Sequence, residues 1–163
     1  MGFSVGDVMQ VNTQTVGPEL SLLALEEELS QWRVGGCPVV DDDKLVGVVS
    51  RSDIVRQLVV EHDLAEQTSD FYFDDAGFHE VPLKSYKQIA DRVGERLSSM
   101  SVGDVMSRNP IVVDSTQPLV YAAQLMQQHR IHRLPVTYRG RLVGIITTMH
   151  FVGLFADGRA QAE

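Results

Sequence analysis

The sequence predicts an α+β fold in which one small β-α-β-β-α unit occurs twice, the two copies packed as a pair with a partly helical insert between them. Three observations predict it. The hexapeptide Ser4-Val5-Gly6-Asp7-Val8-Met9 recurs unchanged at 101–106, a shift of 97 residues. The same shift carries Asn12 onto Asn109, Val16 onto Val113, Leu22 onto Leu119, Pro38-Val39 onto Pro135-Val136 and Leu45-Val46-Gly47 onto Leu142-Val143-Gly144 without a gap. In both copies the hydrophobic period also passes from helix to strand and back in the same order. A single register held from residue 4 to 58 and from 101 to 155 marks a duplicated structural unit.

Each element follows from local pattern. Leu22, Leu25, Leu29 and Trp32 recur at helical spacing, as do Leu119, Ala122, Met126 and His129, so each copy opens with an amphipathic helix. Two β-rich runs come next, Pro38-Val39-Val40 and Leu45-Val46-Gly47-Val48-Val49, around the turn-forming Asp41-Asp42-Asp43-Lys44. The second copy turns through Arg139-Gly140. A further helix begins at Ile54, Val55, Leu58 and Val59, matched by Phe151, Val152 and Phe155. Such a unit is too small to bury both faces of its sheet, and two copies packed together close the core.

The repeats are expected over 1–62 and 101–157, with an insert or linker over 63–100 and a short tail at 158–163. Residues 59–100 hold nine acidic and four basic side chains, more than half of the net negative charge. Within them Tyr86, Ile89, Ala90, Val93 and Leu97 form a helical stripe, and Asp70 to Gly77 reads as a loop with an aromatic plug, Phe71-Tyr72-Phe73. These aromatics fit either packing onto the repeats or binding a partner.

Composition narrows the function. The 163 residues carry an apolar share of 44% and a net charge of −8, with no basic block. A core is therefore available, and the electrostatic footprint for nucleic acid or an anionic membrane surface is missing. Cys37 is the single cysteine, and no charged start followed by an apolar stretch opens the chain, so a cytoplasmic protein is expected. No apolar run approaches the roughly 18 residues of a spanning helix.

The Val-Gly-Asp-Val-Met opening, the Pro-Val strand, the run Leu45-Val46-Gly47-Val48-Val49-Ser50-x-x-Asp53 and its partner Leu142-Val143-Gly144-Ile145-Ile146-Thr147 together resemble a CBS domain, and two in tandem resemble a Bateman module. The resemblance covers about two thirds of the chain. It implies a regulatory, non-enzymatic module that binds AMP, ADP, ATP or S-adenosylmethionine in the cleft between repeats, commonly as a homodimer. The insert is longer than the connector usual in such pairs.

Ser50 and Asp53 follow the last strand of the first repeat. A carboxylate there can accept two hydrogen bonds from the vicinal hydroxyls of a ribose, and the resembled family keeps a ribose-binding Asp at this place. Ser-x-x-Asp is equally a helix N-terminal box, and the two roles are compatible. In the second repeat Ile131-His132-Arg133-Leu134-Pro135 is similar to the phosphate-contacting segment in the nucleotide-sensing subunit of AMP-activated protein kinase. His132 and Arg133 suit phosphate oxygens, although a basic surface pair is a common feature. The base is expected among Val48, Ile111 and Pro135, with backbone near Ile131 reading its edge.

The equivalent positions are unequal. Gly35-Gly36 stand where the second repeat has His132-Arg133, and His150 stands where the first has Asp53. One main nucleotide site per chain is therefore expected. Two other readings remain: a ligand-free dimerisation adaptor whose sites have decayed, and a metal site built on His129-x-x-His132. The second lacks a carboxylate or thiol at a recognisable spacing.

Overall fold

The computed structural model describes residues 2–58 and 83–159. A 3₁₀ turn (Val5–Asp7) opens the chain, followed by helix α1 (Leu22–Trp32), strands β1 (Gly36–Asp41) and β2 (Lys44–Ser50), and helix α2, described over residues 51–58. Next come α3 (Leu83–Ser99), α4 (Val102–Val105), β3 (Ser107–Arg108) and β4 (Val113–Asp114). The chain continues through α5 (Leu119–His129), β5 (Arg133–Tyr138), β6 (Arg141–Thr147) and α6 (Thr148–Ala156). The strands form two three-stranded sheets, ordered β1-β2-β3 and β4-β5-β6.

The sequence repeat is also a conformational repeat. Asn12 and Asn109 are both left-handed, at φ 54° and 53°, and so are Arg33 and Arg130 where α1 and α5 stop. Asp42 and Asp43 in one hairpin, and Arg139 and Gly140 in the other, all have positive φ. Two successive positive φ values give the tight two-residue loop whose twist matches that of paired strands. The expected hairpins are present in both copies.

Two compact units form, one from Met1–Thr15, Val40–Gly47 and Arg108–Glu163, the other from Val16–Val39 and Val48–Ser107. Each takes most of its body from one repeat and its opening segment from the other, and the first also holds Val40–Gly47 of the first repeat's hairpin. In the first unit, Val5 and Gly6 donate backbone hydrogen bonds to the carbonyls of Gln117 (2.9 Å) and Ser115 (2.8 Å), and Gln10 pairs with Ile145 in both directions. Val5 is wholly buried in a core of Val113, Ala122, Met126, Leu134, Val136 and Ile146. β4 runs parallel to β5, with Val113 beside Val136, and β5 is antiparallel to β6 with an irregularity between Val136 and Thr137.

The second unit repeats this logic with the roles exchanged. Val102 and Gly103 donate to the carbonyls of Leu20 (2.8 Å) and Pro18 (2.7 Å). Val102, Leu22, Leu25 and Leu29 are wholly buried, and α3 packs against α1 with Leu97 buried. The hexapeptide is now legible in physical terms. Its valine enters the core, and its aspartate closes a capping box on the serine, Asp7 Oδ2 accepting the Ser4 N–H at 2.9 Å and hydroxyl at 2.7 Å. Its glycine admits a carbonyl, since a Cβ at Gly6 or Gly103 would lie 3.2 or 3.1 Å from the oxygen of Ser115 or Pro18.

One expected element differs. His129 was grouped with the buried stripe of α5 but is exposed. It is the last helical residue before the left-handed Arg130, where the chain turns away from the core and a basic side chain complements the carbonyl end of the helix. The helical stripe in the insert appears as α3, and the aromatic loop at 70–77 lies outside the described residues.

Candidate functional site

In the second unit, β2 ends at Ser50 and α2 begins, which leaves the first amides of the helix without intrahelical partners. Asp53 answers this need: its Oδ2 accepts the backbone N–H of Ser50 at 2.8 Å and the Ser50 hydroxyl at 3.0 Å. Its Oδ1 accepts from Arg56 Nη1 at 3.1 Å. Asp53 is only 5% exposed, and it is the one buried charged or polar residue among those described. The Arg56 side chain is 70% exposed, so that ion pair is largely screened. Val48 lies half-buried in β2.

In the first unit, β6 ends at Thr147 and the same geometry returns with a different chemistry. The backbone N–H of Thr147 donates to His150 Nδ1 at 2.9 Å, and the Thr147 hydroxyl lies 3.0 Å from that nitrogen. An Nδ1 that accepts a backbone N–H carries no proton, which leaves the ring proton on Nε2. Among the described residues four boxes of one design therefore occur, on Asp7, Asp53, Asp104 and His150.

The segment 131–133 sits beside the His150 box. Arg133 pairs with Thr147 across β5 and β6, and the His132 carbonyl accepts the Thr148 N–H at 3.0 Å. The first repeat matches this with the Gly35 carbonyl and the Arg51 N–H, also 3.0 Å. His132 is exposed and Arg133 half-buried. Ile111 and Ile131 are half-buried and pack against the core, while Pro135 is fully buried in β5 and presents no surface to a ligand. Among the described residues no three His, Cys, Asp or Glu side chains gather at a metal-binding spacing.

Sequence reasoning missed two features. Arg51 spans from α2 to α1, its Nε donating to both Glu26 oxygens at 3.2 Å and its Nη2 to the Ser30 hydroxyl at 2.9 Å. A pocket of about 440 Å³ lies between α5 and α6 in the other unit. The 97-residue register held the signal for both, because it aligns Glu26, Ser30 and Arg51 with Ala123, Gln127 and Thr148.

Comparison with known proteins agrees with this architecture. The chain is 32% identical to the CBS domain-containing protein CBSX2, chloroplastic, of Arabidopsis thaliana, over 150 residues that cover 90% of this chain and 60% of that protein. It therefore spans less than two thirds of that relative. Protein MJ1426 of Methanocaldococcus jannaschii is 34% identical over 119 residues, 71% of this chain and 69% of its own. A crystal structure of CBSX2 in complex with AMP superposes with a TM-score of 0.68 at 28% identity, covering 98% of this chain and all of that one. No helix among the described residues is long and apolar enough to cross a membrane. The model of the CBS domain matches residues 5–60 and again 102–157; the chain belongs to the CBS domain family, as a tandem pair.

Proposed function

We propose that the chain is a non-catalytic regulatory module that binds one adenosine-bearing ligand, AMP, ADP or ATP, and works as a homodimer. Ser50 and Asp53 hold the ribose, and His132 and Arg133 hold the phosphate. Val48, Ile111 and Ile131 offer part-buried apolar surface to the base, and Pro135, buried in β5, completes the set.

The burial of Asp53 carries this reading. Asp7 and Asp104 close the same box with exposed carboxylates, so capping does not require a buried one. Removing a carboxylate from water is costly; the Ser50 bonds occupy Oδ2, and a ligand hydroxyl that joins or replaces the exposed Arg56 at Oδ1 adds to what offsets that cost. The AMP complex of CBSX2 supports the choice of ligand class. For the homodimer, the support is apolar surface at the first turn of α5 and the last turn of α6, where Val120 is 62% exposed and Phe155 60%.

A second reading has its own observation. Both oxygens of Asp53 already accept hydrogen bonds, from Ser50 and Arg56, which fits a ligand-free adaptor. Thermal melting with AMP, ADP, ATP, S-adenosylmethionine and GMP separates the two. Stabilisation by adenine nucleotides supports the module, and a flat response to the whole panel supports the adaptor.

A further inference from the structure

Asp53 has little room left for a ligand. An ionised carboxylate offers about four lone-pair sites, two on each oxygen. Its Oδ2 already accepts two hydrogen bonds, from the Ser50 N–H at 2.8 Å and the Ser50 hydroxyl at 3.0 Å. Its Oδ1 accepts one, from Arg56 Nη1 at 3.1 Å. With those three taken, a single acceptor site remains, on Oδ1.

The two occupants differ in how readily they leave. Ser50 is half-buried, and its bonds to Asp53 form the box at the start of α2, so its release would leave a backbone N–H without a partner. Arg56 lies one turn further along α2, with its side chain 70% exposed against 6% for that of Asp53. Water solvates a released guanidinium there, and such a pair is worth little to the fold. The second repeat shows that the box does not need the cation. The 97-residue register places His150 on Asp53 and Gly153 on Arg56, and the His150 box still closes on the Thr147 N–H at 2.9 Å. A Cβ at Gly153 would meet nothing within 4 Å, so crowding does not account for the glycine. Carboxylate and cation are present together in one copy and absent together in the other.

Resting on the reading of Asp53 as the ribose ligand, we infer that Arg56 is an internal competitor at this site, holding Oδ1 until a vicinal diol displaces it. Two neighbouring hydroxyls need two acceptor sites, one more than Asp53 has free, so a ribonucleoside binds by exchange with the guanidinium. A sugar with a single hydroxyl uses the remaining site and leaves Arg56 in place. The ion pair therefore opposes vicinal diols alone, and its strength tunes their affinity.

Calorimetric titration of the full chain with adenosine and 2′-deoxyadenosine tests this, because neither ligand carries a charge of its own, with AMP and Asp53→Ala as the reference for the site. Arg56→Met keeps a long stem, suits a helix and cannot donate a hydrogen bond. It should tighten adenosine about threefold to fivefold and move 2′-deoxyadenosine by less than about twofold. Raising salt from about 50 mM to about 500 mM screens the ion pair, so adenosine affinity should rise about twofold in the wild type and in Arg56→Lys, and stay level in Arg56→Met. A purely structural ion pair would lower the melting temperature of Arg56→Met and leave both nucleoside affinities unchanged, which overturns the inference. Weaker adenosine binding by Arg56→Met also overturns it, since Arg56 would then be a direct contact to the ligand. AMP binding that is absent, or that Asp53→Ala does not weaken, refutes the ribose reading and the inference with it.

Discussion

His150 occupies in α6 the place that Asp53 occupies in α2: its Nδ1 takes the backbone N–H of Thr147 at 2.9 Å, as the Asp53 carboxylate takes that of Ser50 at 2.8 Å. The cap survives the substitution, and the carboxylate does not. An imidazole nitrogen is a single acceptor already in use, so this box has no acceptor left for a pair of ribose hydroxyls. Replacing His150 by Ala should cost about 1 kcal/mol of stability through the lost cap. Chemical denaturation measures this, and an unchanged midpoint would show that the box adds nothing.

The exchange of opening segments predicts where damage spreads. Val5→Ala removes two buried methyl groups and should destabilise by about 1–3 kcal/mol. Hydrogen exchange should accelerate in α5, β5 and β6, the elements around Val5, before it does in α1. Faster exchange in α1 first would contradict the assignment of Val5 to the core of the second repeat.

Much of the fold was legible because duplication supplies two independent samples of one pattern. The helices, hairpins and turns could be read twice, and Leu22, Leu25 and Leu29 were identified as core from spacing alone. The exchange of residues 4–9 and 101–106 was not legible. Pattern indicates that Val5 is buried, not which body buries it, because both bodies are nearly alike. At the site, Ser50 and Asp53 were found as a pair because a three-residue spacing has local geometry. The Arg51 bridge to Glu26 spans 25 residues and leaves no periodic trace. His129 misled because helical spacing continues to the last turn whether or not the core does.

Acid should act on the first box. Hydrogen bonds from the Ser4 hydroxyl, and then from its backbone N–H, hold the Asp7 carboxyl below its ordinary value of 3.8. A depressed folded value means that this stability is present above the unfolded pKa and is lost as pH falls through the folded one. Melting temperature should fall as pH drops through the ordinary carboxylate value of 3.8 and below it, less steeply in Asp7→Asn than in the wild type. Parallel curves would show that the box is not linked to acid stability.

Gly94 offers a gain. It lies inside α3, and a Cβ there meets nothing within 4 Å. Alanine removes backbone freedom from the unfolded chain and favours the helix, so Gly94→Ala should stabilise by about 0.5–1 kcal/mol. A lower melting temperature would mean that α3 needs the glycine for a close contact.

Whether each chain holds one nucleotide, through Asp53 and not through its counterpart His150, is read from calorimetric titration of AMP into the wild type, Asp53→Ala and His150→Ala. The expected result is a stoichiometry near one for the wild type, a loss on the order of 1.5–3 kcal/mol of binding for Asp53→Ala, and an affinity for His150→Ala within about twofold of the wild type. A stoichiometry near two, equal losses from the two substitutions, or unchanged affinity in a folded Asp53→Ala protein would contradict it.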